Sequence, residues 1–172
     1  MESSRDAILN AVRSRQVPPV AAPGPFTHGI RYADPQKQFS EALALVGGEM
    51  LVAQDAADAN RQLAAIPRLA SAAVVCSLVE GVLRPTVDLA RVDDPHMLEK
   101  VDVAVLPGDF AVAENAAVWF SGRHVKHRVI PFITQHLVLV VPAGELVHNM
   151  HEAFARLQFA QAQFGTFISG PS

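Results

Sequence analysis

Helix-like and strand-like segments alternate along the chain from Gln36 onward. Apolar residues recur at helical spacing in QKQFSEALALV and in AADANRQLAAI, which are followed by Gly47-Gly48 and by Pro67, respectively. A short apolar run comes after each of these turn signals, EMLVA in the first case and SAAVVCS in the second. Two such units predict a parallel sheet with helical crossovers.

The second half of the chain continues with short apolar runs bounded by Pro, Gly or charge. They are VDVAVLP (101–107), AAVWF (116–120), RVIPF (128–132) and HLVLVV (136–141). Such runs are typical of strands buried on both faces, and we expect the first and the last to be central strands. A short helix between Asp94 and Lys100, a long helix over residues 143–162 and a final strand GTFIS complete the pattern. The predicted fold class is α/β, a single domain with a mostly parallel sheet of about five to seven strands flanked by helices.

The N-terminal segment is predicted to be a helical arm and a linker. Ser3 or Ser4 can cap a helix that carries Ile8, Leu9 and Val12 at helical spacing, and the prolines of VPPVAAPGP end it. We therefore divide the chain into residues 1–35, an arm with a Pro-rich linker, and residues 36–172, the α/β domain. The arm is either a frayed terminus or a docking helix for a partner.

Composition narrows the function classes. With 14 Lys and Arg against 17 Asp and Glu, the net charge of -3 offers no electrostatic footprint for nucleic acid or for an anionic membrane. Because the N-terminus lacks an apolar signal core and no run of about 18 apolar residues occurs, we expect a cytoplasmic protein. The single cysteine, Cys76, can supply neither an internal disulfide nor an iron–sulfur cluster, and no cofactor is predicted.

Glu114 and Asn115 interrupt two apolar, strand-like stretches in FAVAENAAVWF. A carboxylate at such a place must be paired or solvated, and ligands of open α/β sheets bind at the carboxyl ends of strands. The pair is therefore a candidate site, with Glu114 as its catalytic residue. The alternative is an ordinary turn in which the Asn accepts an unusual backbone angle.

The chain end FISGPS is a second candidate. Backbone N–H groups of a turn over residues 169–172 would form an anion-binding concavity, although no helix follows whose dipole would strengthen it. The alternative is a simple terminal turn.

A metal site and a nucleotide site are not predicted. His148 and His151 are three residues apart on the predicted long helix and His136 opens a strand, but no second strict ligand pair accompanies them. The dinucleotide and phosphate-loop fingerprints are absent, and Cys76 has no neighbouring His in the sequence.

Four segments together resemble the lactate-utilization protein C family, which is built on the LUD domain. They are SSRDAILNAVR, VDVAVLPGDFAVAENAAVW, RVIPFITQHLVLVV and FISGPS. The Ala-Glu-Asn turn after an apolar strand and the terminal Ser-Gly-Pro-Ser are the more specific matches. The segments occur in the family's order and span nearly the whole chain.

The resemblance implies a fold like that of glucosamine-phosphate deaminase, ribose-phosphate isomerase and CoA transferases. It also implies a role in bacterial lactate oxidation beside two iron–sulfur partner proteins. Glu114 matches the family's acidic turn as the catalytic candidate. For ligand binding, the resemblance indicates Asn115, Ser169, Gly170, Pro171 and Ser172. Gln135 and His136, where the strand HLVLVV begins, are two further ligand-binding candidates.

Two positions depart from the family pattern. Ala116 follows the acidic turn where Gly is usual, and Ala does not adopt positive backbone angles as cheaply as Gly. The sequence ends at Ser172, where family members continue into Thr-Ala-Asp-Ile-Glu and a further strand. The expectation is a LUD-type domain without that tail.

Three functions remain open at this point. The leading interpretation is an accessory subunit of a lactate-oxidising assembly, which binds a small anionic ligand near Glu114 while iron–sulfur partners carry the electrons. The alternative is a stand-alone isomerase or CoA-transferase-like enzyme with Glu114 as general base or nucleophile. A third possibility is a chain that only folds and forms a homo-oligomer through Trp119 and the apolar second half.

Overall fold

The computed structural model describes residues 3–15, 20–24, 26, 28–157 and 164–170. Its α-helices are α1 (Ser4–Ser14), α2 (Pro35–Leu45), α3 (Ala56–Ala64), α4 (Pro67–Ala70), α5 (Ile130–Ile133) and α6 (Met150–Arg156). Its strands are β1 (Val75–Ser77), β2 (Val103–Pro107), β3 (Phe110–Val112), β4 (Ala117–Ser121), β5 (His136–Val140), β6 (Leu146–Val147) and β7 (Gly165–Ile168). Short 3-10 helices cover Leu89–Arg91, Pro95–Lys100 and Gly122–His124.

The strands form two sheets. The parallel sheet has the order β1-β2-β5, and both of its pairings are parallel. The mixed sheet has the order β6-β3-β4-β7, in which β4 runs antiparallel to both neighbours and β3 runs parallel to β6. The predicted α/β class, with a parallel sheet flanked by helices, is confirmed. The strands divide between two sheets, however, and the prediction that HLVLVV is central is wrong, because β5 lies at the edge of the parallel sheet in the described part of the chain.

Strand β2 is buried on both faces. Residues 103–106 are all completely inaccessible to solvent. Ala104 and Leu106 pack in a core cluster with Phe120 of β4, whereas Val103 and Val105 pack in another with residues of α3 and α4. This placement explains why VDVAVLP is almost uniformly apolar. The prediction that it is a central strand is confirmed.

Gly108 joins the two sheets. Its N–H donates to the carbonyl of Val140 at the end of β5, and the N–H of Asp109 donates to the carbonyl of Trp119 in β4. The backbones approach so closely here that a Cβ at position 108 would lie 2.5 Å from Val118 Cγ1 and 2.8 Å from Val141 Cγ2. Only glycine fits this junction without a shift of its neighbours.

Side-chain caps set the beginnings of the longer helices. Ser3 accepts the Asp6 N–H and so begins α1, which confirms the predicted N-terminal helix. Asp34 and Asp55 begin α2 and α3 in the same way, by accepting the N–H groups of Lys37 and Asp58. Helix α1 has no buried residue, and the division of the chain at residue 35 stays a prediction.

Three predicted elements differ from the structure. RVIPF contains helix α5 instead of a strand, because Pro131 lacks the N–H that a strand ladder needs and fits the first turn of a helix. EMLVA forms no strand, and its Leu51 and Val52 are 44% and 57% exposed. The predicted helix over 143–162 begins only at Met150, because β6 pairs with β3 before it and Asn149 caps it.

The remaining elements agree with the sequence pattern. SAAVVCS contains β1, AAVWF covers all of β4 except Ser121, and GTFIS contains β7. Residues 158–163, which belong to the predicted long helix, lie outside the described residues. In the part of the chain that the structure describes, every helix is too short or too polar to cross a bilayer.

We predict that Gly108→Ala destabilises the protein by roughly 1–3 kcal/mol, because the new methyl group overlaps Val118 and Val141. Urea denaturation measures the change in the free energy of unfolding. Gly144→Ala is the matched control: a Cβ at that exposed position meets no atom within 4 Å, and the expected change is within about 0.5 kcal/mol. Equal effects of the two substitutions would contradict the close junction at Gly108.

Candidate functional site

The candidate site begins at the turn between β3 and β4. Glu114 and Asn115 are exposed there, between Ala113 and Ala116, which are buried. Asn115 Oδ1 accepts the Ala117 N–H at 3.2 Å, so the side chain closes the turn as an Asx turn does. Ala116 has φ +55°. This left-handed backbone angle costs free energy for a residue that has a Cβ atom, such as Ala.

The Glu114 carboxylate is fixed by one backbone donor. Its Oε2 accepts the Met150 N–H, in the first turn of α6, at 2.9 Å. The Glu114 N–H donates to the carbonyl of His148 at 3.1 Å. Glu114 is therefore held at both its backbone and its side chain by the segment that leads from β6 into α6, while its carboxylate remains open to solvent.

The end of β7 lies against the same turn. Ser169 Oγ donates to the backbone carbonyl of Asn115 at 2.6 Å. Gly170 follows with φ +69°, and Val46 lies so close that a side chain at position 170 would overlap it. Glu114, Asn115, Ser169 and Gly170 are thus brought to one end of the mixed sheet. Two other predicted ligand residues, Pro171 and Ser172, lie outside the described residues.

Gln135 and His136 do not share this location. Their N–H groups donate to the carbonyls of Val101 and Asp102, and His136 pairs with Val103 at the amino end of β2. The chain reaches the turn after β3 from the opposite, carboxyl end of β2, by way of Gly108 and Asp109. The structure therefore separates Gln135 and His136 from Glu114, and their assignment to ligand binding stays a prediction.

A segment near the N-terminus, which we call the strap (residues 29–32), lies against the start of α6. The Tyr32 N–H donates to His148 Nδ1 at 3.1 Å, and Asn149 Nδ2 donates to the carbonyl of Ile30 at 2.9 Å. Arg31 pairs with Glu152 at 2.5 Å. These residues belong to the predicted linker, and the sequence pattern did not connect them with the site. No local pattern could have done so, because the partners are 116–121 residues apart.

Asp109 is a further residue that the sequence analysis missed. It lies two residues beyond the carboxyl end of β2, and its Oδ2 is buried without a hydrogen-bond donor among the described residues. An unsatisfied buried oxygen costs about 1–3 kcal/mol, which a ligand hydroxyl or ammonium group would offset. The available signal was an acidic residue directly after the apolar central strand, in VLPGDF.

The histidines and the cysteine have separate surroundings. His148 faces Tyr32, whereas the ring of His151 lies 4.5 Å from that of Phe26. Within the described ranges, no three His, Cys, Asp or Glu side chains are grouped as a metal ion requires. Burial, and in second place the charge of Asp88, raise the pKa of the Cys76 thiol, so this cysteine stays protonated and is a poor nucleophile.

The fold is shared with a protein of known structure. A DUF162 family protein from Deinococcus radiodurans superposes with a TM-score of 0.62 at 17% sequence identity. The match covers 83% of this chain and 91% of that chain. At this identity the likeness shows a common fold. A scan against protein-family models and a search of curated proteins gave no match.

Ala116 and Ala117 are neighbours whose methyl groups are both buried. We predict that the free energies of unfolding of Ala116→Gly and Ala117→Gly differ by about 1–2 kcal/mol. Ala117→Gly removes a packed methyl group from a regular strand and should cost about 1–2 kcal/mol. Ala116→Gly loses the same methyl group but relieves the positive φ, so its change should be within about 0.5 kcal/mol. Urea denaturation of both variants measures the difference. Equal losses would show that the turn at Ala116 stores no strain.

Proposed function

We propose that this chain is a LUD-domain protein that serves as an accessory subunit of a bacterial lactate-oxidising system in the cytoplasm. Two observations support the proposal. Its fold is that of a DUF162 family protein, and DUF162 is the LUD-domain family. Its Ala-Glu-Asn turn and its Ser-Gly-Pro-Ser ending resemble the corresponding motifs of the lactate-utilization protein C family.

The observation that carries the proposal is the hydrogen bond from Ser169 Oγ to the carbonyl of Asn115. Ser169 and Asn115 are 54 residues apart in the sequence, yet Ser169 Oγ lies 2.6 Å from the backbone carbonyl oxygen of Asn115. Both are exposed at that point, and the contact contributes nothing to the apolar core. Polar groups that converge from separate strands onto one strand end are the kind of groups that orient a small-molecule ligand.

The chemistry of the turn suits a small hydroxy acid such as lactate. Asn115 Oδ1 is committed to the Ala117 N–H, which leaves the Nδ2 group as a donor for a ligand carboxylate. The Glu114 carboxylate is an acceptor, and the hydroxyl group of a 2-hydroxy acid is a matching donor. The site would thus bind the anionic and the hydroxyl ends of the ligand with different side chains.

Electron transfer requires partners in this proposal. One cysteine cannot hold an iron–sulfur cluster, so the clusters that accept electrons from lactate would belong to separate iron–sulfur proteins. The rival function, a stand-alone isomerase or CoA-transferase-like enzyme, needs no such partner. Assays of the purified chain for turnover of hydroxy acids, sugar phosphates and acyl-CoA donors separate the two: activity of the chain alone supports the rival.

We predict that Glu114→Gln abolishes lactate-dependent growth in a host that requires this protein, while the melting temperature stays nearly unchanged. The Gln carbonyl oxygen can still accept the Met150 N–H, so the fold keeps its contact and loses only the charge. Growth on lactate and thermal unfolding are the two measurements.

Glu99→Gln is the matched control, because Glu99 is an exposed carboxylate on the 3-10 helix before β2, away from the turn. It should support normal growth. If the Glu114 variant also grows normally on lactate, the turn is structural and the functional assignment is wrong. A large drop in melting temperature would likewise identify Glu114 as a structural residue.

A further inference from the structure

We propose that two copies of this chain pair through the outer edge of β5, so that their three-stranded parallel sheets join into one continuous sheet. Strand β5 ends the order β1-β2-β5 and has one neighbour, β2, in the described part of the chain. An unpaired strand edge presents a row of N–H and C=O groups to which another strand can bind. The inference concerns the assembly of the chain and goes beyond the proposed function.

The hydrogen bonds of β5 show which of its backbone groups are unpaired. The N–H of His136 and the carbonyl of Val140 are bonded on the side of β2. Because successive residues of a strand direct their backbone groups to opposite edges, Val138 also faces β2, whereas Leu137 and Leu139 face outward. Among the described residues, none bonds to the backbone N–H or carbonyl of Leu137 or Leu139.

The exposure of β5 agrees with an open edge. Residues 103–106 of β2 have no solvent exposure, whereas all five residues of β5 are partly exposed. Leu137 and Leu139 pack against one of the two core clusters that bury β2, and Val138 and Val140 pack against the other. Since both faces of β5 are covered, its remaining exposure lies at the outer edge.

Strand β5 lacks the features that keep natural edge strands from pairing. The run HLVLVV contains no Lys, Arg, Asp, Glu or Pro, and its five consecutive residues pair with β2 without a bulge.

The other edge of the parallel sheet is different. In β1, the carbonyl of Val75 accepts the N–H groups of Thr86 and Val87, so a following segment of the same chain covers that edge. A sheet with one covered edge and one open edge favours a closed pair of copies over an extended chain of them.

The open edge is complementary to itself, which favours a second copy as its partner. Two copies related by a two-fold axis place their β5 strands antiparallel. If Val138 lies opposite its own counterpart, Leu137 of each copy lies opposite Leu139 of the other, and each of these pairs exchanges two N–H···O bonds. His136 then lies opposite Val140, so no like charges face each other. The uncharged edge also carries no charge pattern that would select a different protein.

Disulfide trapping in the purified full chain tests this register. In the proposed pair, Val138 and its counterpart form a non-hydrogen-bonded pair with Cα atoms about 4.5 Å apart, which is within the range of a disulfide. Under mild oxidation, Val138→Cys should give a covalent dimer on non-reducing electrophoresis. The natural Cys76 is completely buried, so the unmodified protein should stay monomeric on the same gel.

Val140→Cys is the matched control. Val140 is partly exposed like Val138 and packs against the same core cluster. Pairing centred on Val138 offsets the two copies of residue 140 by four positions, roughly 13 Å, so its cross-linking should be slower by about tenfold or more. Equal cross-linking rates of the two variants would overturn the proposed register, and absence of cross-linking in Val138→Cys would overturn the pairing.

Amide hydrogen exchange of the unmodified chain tests the pairing without a substitution. The N–H groups of Val138 and Val140 face β2 and should be protected at every protein concentration. Those of Leu137 and Leu139 should gain protection by roughly tenfold or more as the concentration rises and sedimentation shows the conversion of monomer to dimer. Protection at every concentration agrees with the proposal only if the protein sediments as a dimer throughout.

Three outcomes of the exchange experiment would overturn the proposal. Protected Leu137 and Leu139 amides in a monomer would show that a segment of the same chain covers the edge. Unprotected amides at all concentrations would show that the edge binds only water. A dimer in which these two amides exchange freely would place the interface elsewhere. None of these measurements involves lactate, so failure of the proposed function and failure of this inference are distinguishable.

Discussion

Both sheets depend on the segment that runs from β2 through Gly108 into β3. Residues 103–106 are completely buried between two core clusters, and the same chain enters the mixed sheet at Phe110. The hydrogen bonds of Gly108 to Val140 and of Asp109 to Trp119 fix the angle at which the second sheet leaves the first. Since burial of such apolar strands is the dominant favourable term in folding, the position of the β3–β4 turn follows from the burial of β2.

The sequence correctly located fully buried strands and also the partly buried β5 and β7, and it was wrong for two short apolar runs. VDVAVLP could be identified because its apolar character continues over a strand's length without helical spacing. RVIPF and EMLVA are equally apolar but short, and a short apolar run does not distinguish a strand from a helical turn or from an exposed connection. The edge position of β5 was unpredictable for another reason: HLVLVV is apolar because helices and the mixed sheet cover its faces, whatever lies at its edge.

The candidate site was predictable only in part. Glu114 and Asn115 interrupt an apolar sequence, and that local signal correctly located a turn. The meeting of Asn115 with Ser169 followed from resemblance to a family and could not be derived from spacing. The strap was missed because its contacts are long-range and polar, and neither hydrophobic periodicity nor a motif reports contacts between residues more than 100 positions apart.

The contrast between the core and the turn bears on how such a site works. The core clusters around β2 consist of buried apolar side chains. Glu114, in contrast, is exposed: the Met150 N–H donates to its carboxylate, and its own N–H donates to the carbonyl of His148. Single hydrogen bonds at the surface contribute about 1 kcal/mol each, so the turn can rearrange without unfolding the sheets. Ala116 lies between the buried strands β3 and β4 and has φ +55°. The strands therefore impose on the turn a backbone angle that is unfavourable for Ala. The buried strands therefore determine where the polar groups of the turn lie, and the contacts with His148 and Met150 hold Glu114 in that place.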